Sequence, residues 1–213
     1  MSFRWYPCLL LTGLVAPTLV AQQRSAATYV VSREGREAGQ ERITRGPSRA
    51  GTPELRVDAT PVDAPPVSAV LTRASGSDFD VLQLEVRDPA GTESVRAAPG
   101  PGRVLVSASG TGTRRAREIP ASGTYLLLDE SAHGLLLAAA DRALPEGASL
   151  QGIYVRSGRR VQFTARRSPT SASGQTTVVL AGDLEGQIVL DPDGRMLRLE
   201  LPAARIRVER LPD

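Results

Sequence analysis

Short stretches in which apolar and polar residues alternate recur throughout the chain, and they constrain its fold more than any other feature. Residues 80–87, 103–108 and 195–201 place Val, Leu or Met at most second positions and Arg, Gln, Glu or Ser between them. Successive side chains of a strand point to opposite faces of a sheet, so such alternation is typical of strands that bury one face. The sequence therefore predicts a mainly β protein built on antiparallel sheet.

Turns that contain glycine separate these stretches at the short spacing that hairpins require. Asp193-Gly194 and Ser157-Gly158 each lie between two apolar stretches, and Gly35 lies between two more. A short turn with glycine is a strong hairpin signal, because glycine accepts the positive φ that tight hairpin turns need. The sequence predicts a hairpin at each of the three places.

Residues 131–144 break the alternation and predict a helix. They are rich in Leu and Ala and end before Pro145, and Asp129 or Ser131 is the expected N-cap. Apolar residues nearly surround this helix, which indicates burial along most of its length. Gly134 is an unfavourable residue in its first turns, by about 1 kcal/mol relative to Ala. We therefore expect a single strongly curved antiparallel sheet, a half-barrel, with one buried helix at about 131–144 against its concave side.

The N-terminal segment has the composition of a secretory signal peptide. Arg4 supplies a positive charge, and residues 8–16 form an apolar stretch that is shorter than the roughly 20 residues of a transmembrane helix. We predict a signal peptide over residues 1–21, cleaved after Ala21. A slightly later cleavage site, or retention of the segment as an uncleaved anchor, are the alternatives.

Cleavage would leave residues 22–213 as the mature chain. No loop in this range is long enough to be an interdomain linker, so we predict one half-barrel-like domain. We expect the protein to be exported, either periplasmic or secreted, with no stable transmembrane segment after cleavage. The single cysteine, Cys8, lies within the predicted signal peptide, so the mature fold is expected to be stable without a disulfide.

Composition excludes several kinds of functional site. One His and one Cys are too few for a metal centre built on these ligands. All 26 basic residues are Arg, but 23 acidic residues oppose them, so the net charge of +3 is too small to indicate nucleic-acid binding. We therefore expect no metal, no cofactor and no nucleic-acid partner.

Three segments of the chain resemble exported bacterial β-rich proteins related to the LolA/LolB-type lipoprotein carriers. They are residues 29–39, residues 126–133 and the closing residues 190–202. In that family a strongly curved antiparallel sheet wraps around helices, and its apolar concave side takes up acyl chains. The resemblance implies a half-barrel whose partner is a lipid, a lipoprotein-like molecule or an envelope protein.

The candidate site residues fall into an apolar and a polar group. Asp129 and His133 are the polar candidates, and the resemblance makes them the first polar residues to test. His133 is the only imidazole and could act as a general base with Asp129, but no nucleophile motif such as G-x-S-x-G accompanies it. The apolar candidates, which would line or fill the concavity, are Tyr125, Leu135, Leu136, Leu137 and Tyr154.

Three functions are compatible with these features. The first is a non-enzymatic exported protein that binds an apolar or amphipathic ligand in the concavity of the sheet, and a continuous apolar cavity would favour it. The second is an envelope protein that docks a partner, favoured by a filled core with a long open sheet edge. The third is a hydrolase that uses His133 with Asp129, favoured by a Ser or Thr hydroxyl within reach of His133.

Overall fold

A computed structural model describes residues 25–73, 80–110 and 112–212. Strands make up 63% of it and form one large, curved, open sheet with one short helix, so the predicted fold class is confirmed. The predicted signal peptide, residues 1–21, lies outside the described residues and stays a prediction. Within the described residues, no helix has the length and apolar character needed to cross a membrane.

The sheet contains 15 strands within the described residues, and one helical segment follows the ninth. This segment begins as a 3₁₀ helix, His133–Leu136, and continues as α1, Leu137–Arg142. A second 3₁₀ helix covers Pro202–Ala204. The strands are β1 Ser25–Arg33, β2 Arg36–Pro47, β3 Pro53–Pro61, β4 Val67–Arg73, β5 Asp80–Asp88, β6 Gly91–Gly100, β7 Arg103–Gly110, β8 Thr113–Pro120, β9 Tyr125–Leu128, β10 Ala148–Tyr154, β11 Arg160–Arg167, β12 Thr176–Gly182, β13 Gly186–Leu190, β14 Met196–Leu201 and β15 Ile206–Arg210.

The chain starts in the middle of the sheet and visits its two edges one after the other. Strands β1 to β8 pair in sequence order out to one edge, the chain then passes to β9 at the other edge, and β9 to β15 pair in order back to β1. A flat sheet of this size would separate its edges by about 65 Å, at about 4.8 Å per strand. The four residues 121–124 that join β8 to β9 reach less than about 20 Å. The sheet must therefore curve until its edges approach each other.

Side chains connect the β8 edge to the β10–β11 hairpin, which lies next to the other edge strand, β9. The guanidinium group of Arg117, on β8, donates hydrogen bonds to the backbone carbonyls of Val155 and Arg156 in the β10–β11 turn. Arg160 donates to the carbonyl of Pro120 at 3.5 Å. These contacts hold β8 near the β10–β11 hairpin, while the edge strands β8 and β9 form no backbone ladder with each other.

One strand pair departs from the predicted antiparallel sheet. Strand β9 runs parallel to β10, with Tyr125 opposite Gln151. All four residues of β9 are buried, because β9 also lies near β5 on the far side of the curve. A strand that is buried on both faces is a continuous apolar run, and the Tyr-Leu-Leu-Leu sequence of β9 has this character.

Burial elsewhere follows the predicted alternation. In β5, Leu82, Leu84 and Val86 are buried, whereas Gln83 and Glu85 are exposed. The three predicted hairpins are confirmed as the antiparallel pairs β1–β2, β10–β11 and β13–β14. The local pattern of side chains therefore determines which face of each strand enters the core.

The helix is shorter than predicted. It covers residues 133–142 instead of 131–144, and its first turn is 3₁₀. Asp129 and Ser131 precede it, in a turn where the backbone N–H of Ser131 donates to Asp129 Oδ1 at 2.9 Å. Arg142 ends α1, since Ala143 is extended and Leu144 forms a β-bridge with Arg166.

On the outer face of the sheet, a polar cluster joins β3 to β4. Arg56 Nε donates to Asp58 Oδ2 at 2.9 Å, and Ser68 Oγ donates to Asp58 Oδ1 at 2.6 Å. Partial burial by itself raises the pKa of the Asp58 carboxyl, but these two hydrogen bonds outweigh it and hold that pKa below its ordinary value.

This lowered pKa predicts an acid-dependent contribution to stability. The Asp58 carboxylate stabilises the fold above its ordinary pKa, and the contribution is lost as the pH falls through the lowered value in the folded state. The Asp58 side chain is 39% exposed, so we expect Asp58→Asn to cost less than about 1 kcal/mol at pH 7. Urea unfolding of both proteins at pH 7 and at about pH 3 should show the difference shrinking in acid. A difference that stays constant would contradict this assignment.

Candidate functional site

The helical segment lies inside the curved sheet, and a carboxylate on a strand fixes its N-terminus. Glu41, on β2, is 1% exposed. Its Oε1 accepts the backbone N–H of His133 at 2.8 Å, and its Oε2 accepts that of Gly134 at 2.7 Å. The first N–H groups of a helix have no partner within the helix. Glu41 satisfies two of them, so the predicted capping by Asp129 or Ser131 is wrong.

The same carboxylate holds the imidazole ring of His133. Nδ1 lies 2.8 Å from Glu41 Oε1. An ionised carboxylate only accepts hydrogen bonds, so we assign the hydrogen to Nδ1, which leaves Nε2 as an acceptor in the neutral ring. Nε2 is buried and has no hydrogen-bond partner among the described residues. Glu41 therefore fixes the imidazole ring of His133, and Nε2 of that ring has no hydrogen-bond partner among the described residues.

Asp129 is engaged by arginine instead of by His133. Its Oδ2 accepts Arg156 Nε at 2.5 Å, and its Oδ1 accepts Arg156 Nη2 at 2.9 Å. The hydrogen bond to Asp129 raises the pKa of the Arg156 guanidinium above its ordinary value, although burial opposes this. The structure thus gives the two predicted polar residues, Asp129 and His133, different partners.

Ion pairs fix the other end of the helical segment to two parts of the sheet. Arg142 Nη2 lies 2.5 Å from Asp80 Oδ2 on β5, and Asp141 Oδ1 lies 2.5 Å from Arg45 Nη2 on β2. Together with Glu41 at the first turn, these contacts hold the segment in one position. The helix is therefore a fixed part of the core.

The helix fills most of the concavity of the sheet. Leu135 is 0% exposed, Leu137 is 3% exposed, and Tyr125 on β9 is 4% exposed. Burial raises the pKa of the Tyr125 hydroxyl, and the nearby charge of Asp80 adds to this effect. Leu135 and Tyr125 pack into the core, whereas Leu137 lines a separate pocket at the far end of the helix.

Leu136 and Tyr154 line a pocket of about 390 Å³ beside the first turn of the helix, which we call the mouth pocket. A neighbouring pocket of about 370 Å³ lies against the β1–β2 hairpin, and we call it the hairpin pocket. Arg33, Glu130 and His133 line both pockets, so His133 stands where they adjoin. The apolar floor of the mouth pocket is formed by Leu128, Ala132, Leu136, Tyr154, Leu201 and Ile206.

An arginine covers the aromatic ring of the mouth pocket. The guanidinium carbon of Arg159 lies 4.0 Å from the ring centroid of Tyr154, a distance typical of a cation–π contact. Burial raises the pKa of the Tyr154 hydroxyl, although the positive charge of Arg159 acts against it. The hydroxyl is therefore uncharged near neutral pH.

Sequence reasoning missed Glu41 and Arg156, the partners of the two polar candidates. Gly39, Glu41 and Ile43 occupy successive buried positions of β2, so the alternation placed a carboxylate on the inward face. This inward position could have identified Glu41 as a candidate from the sequence, because a buried carboxylate needs hydrogen-bond donors. The identity of those donors depends on a contact between residues 92 positions apart.

Comparisons with known proteins identify no family for this chain. No family model, curated protein or solved structure matches it. The resemblance to LolA/LolB-type carriers therefore stays a prediction. Among the described residues, no group of three or more His, Cys, Asp or Glu side chains could hold a metal ion.

Proposed function

We propose that this protein is exported, to the periplasm or beyond the cell, and binds a small amphipathic ligand such as a single-chain lipid without chemical conversion. The observation that carries the proposal is the mouth pocket, in which an apolar floor lies beneath a polar rim. Its volume of about 390 Å³ falls within the range of small-molecule sites, which is roughly 300–1,000 Å³.

The proposed ligand occupies the mouth of the curved sheet instead of its interior. Leu135 and Leu137 belong to the helix that fills most of the concavity. Leu135 is fully buried, and Leu137 borders the separate pocket at the far end of the helix. Leu136, Tyr154 and Leu201 border the mouth pocket instead. The ligand's apolar part would lie on these side chains, and its polar part would face the rim near His133.

The hydrolase alternative receives less support from the geometry. His133 Nε2 makes no hydrogen bond within the described part of the chain, so no described Ser or Thr hydroxyl is poised as its nucleophile. Asp129 pairs with Arg156, and the carboxylate that orients His133 also caps the helix. Glu41 therefore positions the first turn of the helix and the imidazole ring of His133.

Docking of an envelope partner is a second candidate, because the core is filled and β8 forms an open edge of the sheet. However, Arg114, Arg115 and Arg117 occupy this edge strand, and charged residues on an edge discourage strand addition. The side chain of Arg117 also crosses to the β10–β11 turn. The structure therefore supports ligand binding in the mouth pocket better than partner docking at the β8 edge.

Filling the mouth pocket should abolish ligand binding. Ala204 is exposed and lines the pocket, so Ala204→Phe would place a ring there without disturbing the buried core. We expect the wild type to bind one molecule of uncharged dodecyl maltoside per chain below its micelle concentration. In the variant the dissociation constant should rise at least about tenfold. Native mass spectrometry and titration calorimetry measure both quantities.

The matched control is Ala50→Phe, which adds the same ring to an exposed turn between β2 and β3. This variant should bind as the wild type does. Native mass spectrometry of protein purified from the exported fraction should also detect a stoichiometric amphiphile. Absence of binding in both experiments would overturn the proposal and favour partner docking.

A further inference from the structure

The Nε2 nitrogen of His133 lacks a hydrogen-bond donor among the described residues. Glu41 fixes the ring through Nδ1, so Nε2 of the neutral ring accepts, and it is buried without a partner among the described residues. Buried acceptors in proteins are normally satisfied. The His133 side chain is 12% exposed and lines both pockets. An N–H or O–H group on a ligand in the mouth pocket would supply the missing donor.

The protein already places a cation in this pocket. Arg159 stacks on Tyr154 at 4.0 Å, and no carboxylate among the described residues forms an ion pair with it within hydrogen-bonding range. The ring face of Tyr154 therefore attracts a positive group. A ligand cation that displaced Arg159 would find the same ring face.

The rims of the two pockets carry more negative than positive charge, although the whole chain is net positive at +3. Arg33, Arg36 and Arg159 are their arginines. Glu41 and Asp129 are already engaged by His133 and Arg156. Glu34 pairs with Arg205 at 3.3 Å. The remaining carboxylates of the two rims are Glu37, Asp63, Glu130, Asp183 and Glu185.

From these three observations we infer that the mouth pocket selects an amphiphile with a primary ammonium head. The inference rests on the proposed function and names its ligand class. The ammonium group lies where the two pockets adjoin, donates an N–H to His133 Nε2 and is attracted by Glu130. The alkyl chain lies over Leu136 and the rest of the apolar floor.

The test compares four probes with the same C12 chain: dodecylammonium, dodecyltrimethylammonium, uncharged dodecyl maltoside and dodecanoate. Calorimetry at about pH 8 keeps the ammonium group of dodecylammonium charged. We expect dodecylammonium to bind at least about tenfold more tightly than dodecanoate and several-fold more tightly than dodecyltrimethylammonium, which has no N–H to donate. Added salt should reduce the preference over dodecanoate.

Two variants separate the hydrogen bond from the charge. His133→Asn keeps an amide near Nδ1 for Glu41 but removes Nε2, so the preference for dodecylammonium over dodecyltrimethylammonium should disappear. Glu130→Gln should weaken binding of both cations about threefold relative to its effect on dodecyl maltoside binding. Glu118→Gln, on the distant strand β8, is the charge control and should change neither. If His133→Asn does not fold, Glu130→Gln and the probe series still decide the matter.

The possible outcomes distinguish the inference from the function on which it rests. Equal binding of the cationic, neutral and anionic probes would overturn the inference and leave the proposed function standing. Tighter binding of dodecanoate would overturn the inference as well. If none of the four probes binds, the proposed function fails together with the inference.

Discussion

Replacement of Glu41 by alanine is expected to lower the free energy of unfolding by about 3–5 kcal/mol. The change removes the acceptor of three donors: the backbone N–H groups of His133 and Gly134, and Nδ1 of the His133 ring. Each buried donor left without a partner costs about 1–3 kcal/mol. Urea unfolding at pH 7, with the midpoint and the m-value fitted together, measures the loss.

A matched variant separates this effect from the simple loss of a carboxylate. Glu85 lies on β5 with its side chain 57% exposed, so Glu85→Ala should change stability by less than about 0.5 kcal/mol. Glu41→Gln should fall between the two, because its amide oxygen still accepts one N–H whereas its NH₂ group opposes another donor. A Glu41→Ala variant as stable as Glu85→Ala would show that the carboxylate does not anchor the helix.

Substitution of Gly134 by alanine should destabilise the protein by about 1–3 kcal/mol, the opposite sign to that expected from helix propensity. In an unobstructed helix, alanine is more favourable than glycine by about 1 kcal/mol. At this position an added Cβ would lie 2.6 Å from Ile43 Cδ1 and 3.1 Å from Glu41 Oε2. The close approach of the helix to β2 therefore requires glycine.

A double-mutant cycle identifies the contact that is responsible. Ile43→Val removes the Cδ1 methyl and alone should cost about 0.5–1.5 kcal/mol. Combined with Gly134→Ala, it should cost less than the sum of the two single changes, because Cδ1, the nearer of the two Ile43 atoms that clash with the new Cβ, is gone. Strict additivity in urea unfolding would show that the strain at Gly134 does not come from the Cδ1 methyl.

Strands and hairpins were predictable because their determinants are local. The alternation in β5 predicts which face is buried, and turns such as Asp193-Gly194 reverse the chain within a few residues. The Leu- and Ala-rich residues from Leu135 to Ala140 likewise indicate a buried helix. These features can be predicted from two local properties: the spacing of apolar side chains along each strand or helix, and the φ angles that the turn residues accept.

The site was less predictable, because it forms from contacts between residues far apart in the chain. The sequence predicted His133, Leu136 and Tyr154 as candidate site residues, and all three line the mouth pocket. It paired His133 with Asp129, its near neighbour in sequence, whereas the actual partner is Glu41 on β2. The true ends of the helix depend on the same contact, since Glu41 satisfies N–H groups that a local cap would otherwise satisfy.

The sequence by itself determined the mainly β character, the inward face of the strands and the presence of one buried helix. Only the tertiary structure decided that β9 pairs in parallel with β10, how far the helix fills the concavity, and that the mouth pocket lies at its first turn. The physical reason is the length scale of each determinant. Alternation and turn residues act over a few positions of the chain. In contrast, the four-residue link from β8 to β9 requires the whole sheet to curve, and this curvature brings together side chains that are far apart in the sequence.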